Sequence, residues 1–210
     1  MLNIFARVHV ARVADPVARW LVGHGMAPDV VTVAGTVGSV AAALWFLPRD
    51  QLFLGAVVIT VFVLFDLLDG AMARAREATT AFGAVLDSTC DRLVDGALFA
   101  ALCWWCLGAG EQRLLGVAAL ICLVAGQLVS YIKARAEGMG LTADGGLIER
   151  PERLIISLVG TGFEGLGIPY ALAVALWLLA AASVWTVGQR IVLVYRAAQA
   201  AAPVDPAPNP

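Results

Sequence analysis

The sequence predicts an all-α fold: a polytopic membrane protein with six transmembrane helices preceded by an amphipathic helix in the membrane interface. Three observations predict it. Hydrophobic residues make up 60% of the 210 positions and charged residues 14%, with a mean hydropathy of +0.84; chains of this composition have lipid as their solvent. Six apolar runs succeed one another with short connections, most of them near the ~20 residues that a membrane-spanning helix needs. The basic residues are divided very unevenly between the two ends of those runs.

Residues 1–24 open the chain. Phe5, Val8, Ala11, Val13, Val17, Trp20 and Leu21 interleave there with Arg7, Arg12 and Arg19, and Pro16 breaks or kinks the pattern. Such a helix lies in the headgroup region. Without a continuous apolar core it does not read as a cleavable signal peptide and is expected to stay in the mature protein. Residues 25–199 form one six-helix domain. Its first span, 30–47, is introduced by "APDVVT" and closed by "PRD". The others are expected at 52–73, 82–107, 114–134, 153–163 with a weak continuation, and 170–195. Residues 200–210, rich in Pro and Ala, have nothing to bury and are expected to be disordered.

Six spans put both termini on one side. Arg7, Arg12, Arg19, Arg74, Arg76, Arg92, Lys133, Arg135, Arg150, Arg153, Arg190 and Arg196 fall on that side, and only Arg49 and Arg113 on the other. By the positive-inside rule the N- and C-termini are cytoplasmic, which places the chain in the cell membrane as a multi-pass protein. His9 and His24 precede the first span and indicate no metal site. Cys103 and Cys106 have CxxC spacing, but with Cys90 and Cys122 they read as small packing residues of apolar helices. Nucleic acid is not an expected partner.

Four aspartates stand out against this apolar background. Asp66 and Asp69 are three apart near the cytoplasmic end of the second span; Asp87 and Asp91 are four apart near the cytoplasmic start of the third. Each spacing puts two carboxylates on one helix face, and the short connection makes the two helices antiparallel neighbours. Four converging carboxylates at membrane depth need cations. Oxygen-only ligands favour hard ions such as Mg²⁺, Mn²⁺ or Ca²⁺, and a two-ion site suits the clamping of a diphosphate. The alternative is a salt-bridge network with Arg74, Arg76 and Arg92, although surplus intramembrane charge is rarely structural. Gly70 and Gly83 allow close approach to the backbone. Thr79 and Thr80 stand where an N-cap of the third helix belongs.

The complete pattern is Asp66, two residues, Asp69-Gly70, two residues, Ala73-Arg74, eight residues, Gly83, three residues, Asp87, three residues, Asp91. It resembles the signature of the CDP-alcohol phosphotransferase family at every specified position. The resemblance implies six transmembrane helices, a homodimer, and transfer of a phosphatidyl group from CDP-diacylglycerol to an alcohol with release of CMP. It implies Asp66, Asp69, Asp87 and Asp91 as ligands of two Mg²⁺ ions, with Mn²⁺ as a substitute, and Asp91 as the base for the acceptor hydroxyl. Gly70 and Arg74 are then expected to meet the CDP moiety. "PDVVT" is similar to the family's N-terminal nucleotide-contacting element, which adds Asp29, Val30, Val31 and Thr32. Asp29 can equally be the N-cap of the first span. Thr80 is a further candidate contact.

Lys133, Arg135, Arg150, Arg153 and Arg190 are expected on the same cytoplasmic side as the aspartates. A basic pocket there suits an acceptor that carries a phosphate. "KARAE", "DGG" and "ERPER", with the aspartate stretch, resemble the branch of the family whose acceptor is inositol phosphate, in mycobacteria and their relatives. Lys133, Arg153 and Arg190 match that branch's phosphate pocket, with Arg135 and Arg150 beside them. Free inositol does not call for a basic pocket, whereas glycerol phosphate does, and only the resemblance separates it. A divalent-cation transporter is the alternative from another class; its charges are expected nearer the midplane, with broken helices and internal repeats.

Overall fold

The computed structural model describes residues 16–65, 68, 71–72 and 80–201, and every regular element among them is helical. A helical stretch at 16–23 precedes α1 (Pro28–Phe46), a 3-10 turn (Leu47–Arg49), α2 (Leu52–Val63), α3 (Ala81–Leu107), α4 (Arg113–Glu137), α5 (Arg150–Gly165) and α6 (Ala171–Ala201). These helices fall on the six apolar runs. Among the described residues three stretches, Pro28–Arg49, Arg113–Glu137 and Ala171–Ala200, are long and apolar enough to cross a membrane. The 27-residue α3 is long, but Asp87, Asp91, Arg92 and Asp95 stand between its start and its middle; α5 has 16 residues and α2 12.

The principal packing pairs close a ring in the order α1, α2, α5, α6, α4, α3 and back to α1. Small residues make several of its close contacts, as expected where helices pack without a hydrophobic drive between them. A Cβ at Gly38 of α1 would fall 2.3 Å from Phe62 Cδ1, one at Gly165 of α5 2.2 Å from the Phe53 nitrogen, and one at Gly160 2.5 Å from Ala175 Cβ of α6. The predicted pairing of the second span with the third is not among the principal pairs of the described residues. The described α2 packs on α1 and α5, with Gly35 and Gly38 opening α1 to Phe62 and Phe65; the connection expected to pair the two spans lies outside the described residues.

The apolar core draws on the second half of α3 (Leu98, Leu102, Cys106), the first half of α4 (Ala118, Cys122) and Leu172, Leu176 and Leu179 of α6. That leaves the first half of α3, the second half of α4 and the start of α5 for polar groups. All four cysteines are buried and free, as packing residues. Trp105 Nε1 donates to Asp50 Oδ1 at 2.7 Å, fastening α3 to the α1–α2 connection.

The first helix does not use Asp29 as its cap, the one of its two readings that the helix start tests. Ala27 is its N-cap, without a side-chain cap bond, and Pro28 opens the helix. Proline lacks one of the N–H groups that a helix start leaves unpaired and has φ preset for the first helical position, so Asp29 falls in the first turn. Ala18 of the 16–23 stretch is buried in a small cluster with Val31, Ala71 and Met72, while Trp20 is exposed. The amphipathic pattern from Phe5 to Val13 and the tail from 202 onward lie outside the described residues; α6 runs two residues past the expected boundary at 199.

Candidate active site

Thr80 begins the site by capping α3: its Oγ1 accepts from the Gly83 N–H at 2.9 Å, the ordinary N-cap bond. From that start Asp87, Asp91 and Asp95 follow at intervals of four and share a helix face. Asp87 is exposed, the Asp91 side chain keeps 16% exposure, and Asp95 is buried. Asp66, Asp69, Gly70 and Arg74, with Arg76 and Thr79, lie outside the described residues.

A second start fixes the arginines. Glu149 and Glu152 form a reciprocal capping box at the head of α5, with Pro151 in its first turn. Arg150 and Arg153, three apart, therefore leave one face of α5 and reach α3. Arg150 Nη1 lies 2.7 Å from Asp91 Oδ1 and its Nε 3.5 Å from Asp95 Oδ1. Arg153, 1% exposed, donates from Nη2 to Asp95 Oδ2 at 2.5 Å. Arg92 adds a third cation, 3.6 Å from Asp91 Oδ2. Buried carboxylates so paired avoid the cost of an isolated charge.

The connection from α4 to α5 is stitched down by α6. Arg190, 3% exposed, donates from Nη1 to the Val129 carbonyl at 2.6 Å and from Nε to the Gly145 carbonyl at 3.1 Å, and its Nη2 lies 3.5 Å from Glu149 Oε1. The Ile148 N–H donates to Thr186 Oγ1 and the Leu147 N–H to Gln189 Oε1. Gly146, at φ +148, sits where a Cβ would meet Thr186 Cγ2 at 2.6 Å, so only glycine fits that crossing. Lys133 lies 2.8 Å from Asp144 Oδ1 and 3.7 Å from Glu137 Oε1. The ammonium holds the exposed Asp144 carboxyl below its usual range.

These residues enclose a cavity of about 920 Å³ lined by Asp91, Arg92, Lys133, Arg150, Arg153 and Arg190 together with Gln127 and Glu149. Four of the five basic residues expected at an acceptor pocket thus share one space with Asp91. Arg135 does not line it: two positions from Lys133 on a helix is the opposite face, and Arg135 is exposed. In the N-terminal element Val31 and Thr32 are buried and Val30 exposed. Asp29 faces the head of α3, its Oδ1 3.5 Å from where a Gly83 Cβ would stand.

Asp95, Gln127 and Glu149 were not apparent from the aspartate motif. Asp95 could have been found one turn beyond Asp91, whereas Gln127, whose Nε2 donates to the Arg92 carbonyl at 3.1 Å, and Glu149 left no distinctive signal. Among the described residues no group of three or more His, Cys, Asp and Glu side chains could hold a metal. Asp87 and Asp91, oxygen-only and on one face, are the described members of the expected ligand set, and a hard divalent ion fits their chemistry.

The family model of CDP-alcohol phosphatidyltransferases matches residues 25–198. The chain belongs to the CDP-alcohol phosphatidyltransferase family. It is 56% identical over 193 residues, 90% of this chain and 82% of the relative, to the phosphatidylinositol phosphate synthase of Mycobacterium marinum. The crystal structure of Mycobacterium tuberculosis phosphatidylinositol phosphate synthase with CDP-DAG bound superposes with a TM-score of 0.87 at 53% identity, covering 93% of this chain and all of that one. The same enzyme in complex with manganese and citrate gives 0.86 at 54% identity, covering 91% and 93%. As a CDP-alcohol phosphatidyltransferase the chain is a transferase of phospholipid synthesis, which decides against the cation-transporter reading.

Proposed function

We propose that this transferase moves the phosphatidyl group of CDP-diacylglycerol onto an inositol phosphate and releases CMP. The observation that carries the reading is the single cavity in which Asp91 meets Lys133, Arg150, Arg153 and Arg190: a carboxylate fit to take a proton beside cations fit to hold a phosphate. The likeness to mycobacterial phosphatidylinositol phosphate synthases supports inositol phosphate over glycerol phosphate.

Asp66, Asp69, Asp87 and Asp91 would hold two Mg²⁺ ions, or Mn²⁺ in their place; bound there, the ions supply neutralising charge for the diphosphate. Asp29 to Thr32, Gly70, Arg74 and Thr80 would contact the CDP moiety, with Arg74 on its phosphates. Lys133, Arg150, Arg153 and Arg190 would orient the acceptor through its phosphate, with Arg135 at most an outer charge. Asp91 takes the proton of the acceptor hydroxyl as its oxygen attacks the β-phosphorus. The bond from that phosphorus to the bridging oxygen breaks, and CMP leaves with the electron pair.

Six spans, an interfacial helix, cytoplasmic termini, a homodimer and a plasma-membrane location complete the proposal. The division of basic residues and the long apolar helices support the membrane part of it. The test is CMP release by detergent-purified protein with CDP-diacylglycerol and Mg²⁺, offered inositol phosphate, free inositol or glycerol 3-phosphate in parallel. Release that depends on inositol phosphate and stops with EDTA is expected. Release with glycerol 3-phosphate alone would keep the family and overturn the acceptor.

A further inference from the structure

One buried carboxylate belongs neither to the aspartate motif nor to the acceptor pocket as the sequence describes them. Asp95 stands one turn beyond Asp91 on α3 and is 3% exposed, yet it takes two guanidiniums from α5: Arg153 Nη2 at 2.5 Å and Arg150 Nε at 3.5 Å. Stability is a weak reason for such an arrangement, since well-packed apolar residues commonly replace a buried ion pair without loss. Its place gives a better one. Both arginines line the cavity, and Arg150 continues to Asp91 Oδ1, so cations and carboxylates alternate in the order Arg153, Asp95, Arg150, Asp91.

Arg153 is held from two sides. Asp95 takes Nη2, and α4 passes so close that a Cβ on Gly126 would lie 3.1 Å from Nε and 3.2 Å from Cζ. Nε is buried with no hydrogen-bond partner among the described residues. An arginine fixed before its ligand arrives does not spend binding energy on rotamer order. We infer that Asp95 is a positioning residue for the acceptor: it presents Arg153 and Arg150 to the acceptor's phosphate while leaving the CDP-lipid side untouched. The inference rests on the reading of the basic pocket given above.

The test is steady-state CMP release by the full-length protein, with inositol phosphate and CDP-diacylglycerol varied separately. Asp95→Asn is expected to raise the acceptor KM by about tenfold, the loss of one hydrogen bond between charged groups, with the CDP-diacylglycerol KM within about twofold. A merely structural role would lower the yield or the thermal stability without this asymmetry. Asp95→Glu keeps the pair neutral but moves the carboxylate by one methylene; it serves if the Asn variant fails to fold, and its acceptor KM should also rise. Lys133→Ala runs alongside. If Lys133→Ala raises the acceptor KM and neither Asp95 variant does, the positioning role is overturned. If Lys133→Ala leaves it unchanged, the pocket reading fails first, and the inference with it.

Discussion

Arg150 Nη1 and Asp91 Oδ1 stand 2.7 Å apart, an ion pair that joins the head of α5 to the last aspartate of the motif on α3. These helices are not adjacent among the principal packing pairs of the ring. Polar side chains span the gap, and the cavity lies among them. The residue read as the base for the acceptor hydroxyl is therefore oriented by a member of the acceptor pocket.

Asp91→Asn tests the base. The amide keeps an oxygen for Arg150 to approach and preserves shape, so the fold and much of the CDP-diacylglycerol binding should persist. General-base catalysis contributes roughly 10²- to 10⁴-fold, and CMP release should fall by at least about 100-fold. Single-turnover CMP release together with CDP-diacylglycerol binding measures both; turnover near that of the unmodified protein would remove Asp91 from the role.

Lys133 offers a test with opposite signs. Asp144, which is exposed, pairs with it and competes with any phosphate in the cavity. Lys133→Ala should raise the acceptor KM, whereas Asp144→Asn should lower it by about two- to threefold, less than one full charge-assisted hydrogen bond is worth. Because the folded carboxyl titrates below its usual value, near 4, the pair's contribution is complete above the unfolded pKa and lost as pH falls through the lower folded one. The Asp144→Asn effect should accordingly stay constant in assays between about pH 6 and 9, a range in which the native carboxylate remains ionised.

Arg190 is more than a pocket cation. It ties Val129, Gly145 and Glu149 together from α6. Arg190→Ala removes the guanidinium's hydrogen bonds to two carbonyls, at about 1.5–3 kcal/mol for each hydrogen bond to a charged group. It should lower the thermal midpoint in detergent as well as raise the acceptor KM. Lys133→Ala, at the exposed rim, should move only the second quantity.

Much of this site was legible because its spacing rules are local. Asp87 and Asp91 share a face whatever surrounds them, Thr80 precedes α3 as a cap does, and Lys133 stands in the last turns of α4 with Arg150 and Arg153 in the first turn of α5. What could not be read depends on ring closure. That Asp95 faces Arg153 follows from how α5 crosses toward α3, and no local pattern encodes it. Arg135, expected beside the pocket from its cytoplasmic side and the resemblance, is turned away from the cavity by helix periodicity, two positions from Lys133. Of the two readings open for Asp29, the cap is ruled out by the proline before it, which already opens the helix. Among the described residues, charges inside α3 and the brevity of α5 leave three stretches apolar and long enough to span a membrane by that measure alone.

Gly126 gives the most local test of the geometry around Arg153. A Cβ there would stand 3.1 Å from Nε and 3.2 Å from Cζ, closer than ordinary contact, and one of the two must yield. Arg153 cannot retreat freely, because Asp95 holds Nη2 and the side chain is 1% exposed. Gly126→Ala should therefore shift the guanidinium by a few tenths of an ångström. Alanine favours the helix over glycine by about 1 kcal/mol, so stability should change little or rise slightly while the acceptor KM climbs several-fold. The check is a thermal melt paired with acceptor kinetics on the same preparation. A raised KM with unchanged stability is the expected pattern, and an unchanged KM would mean that Arg153 does not need its present orientation to hold the acceptor.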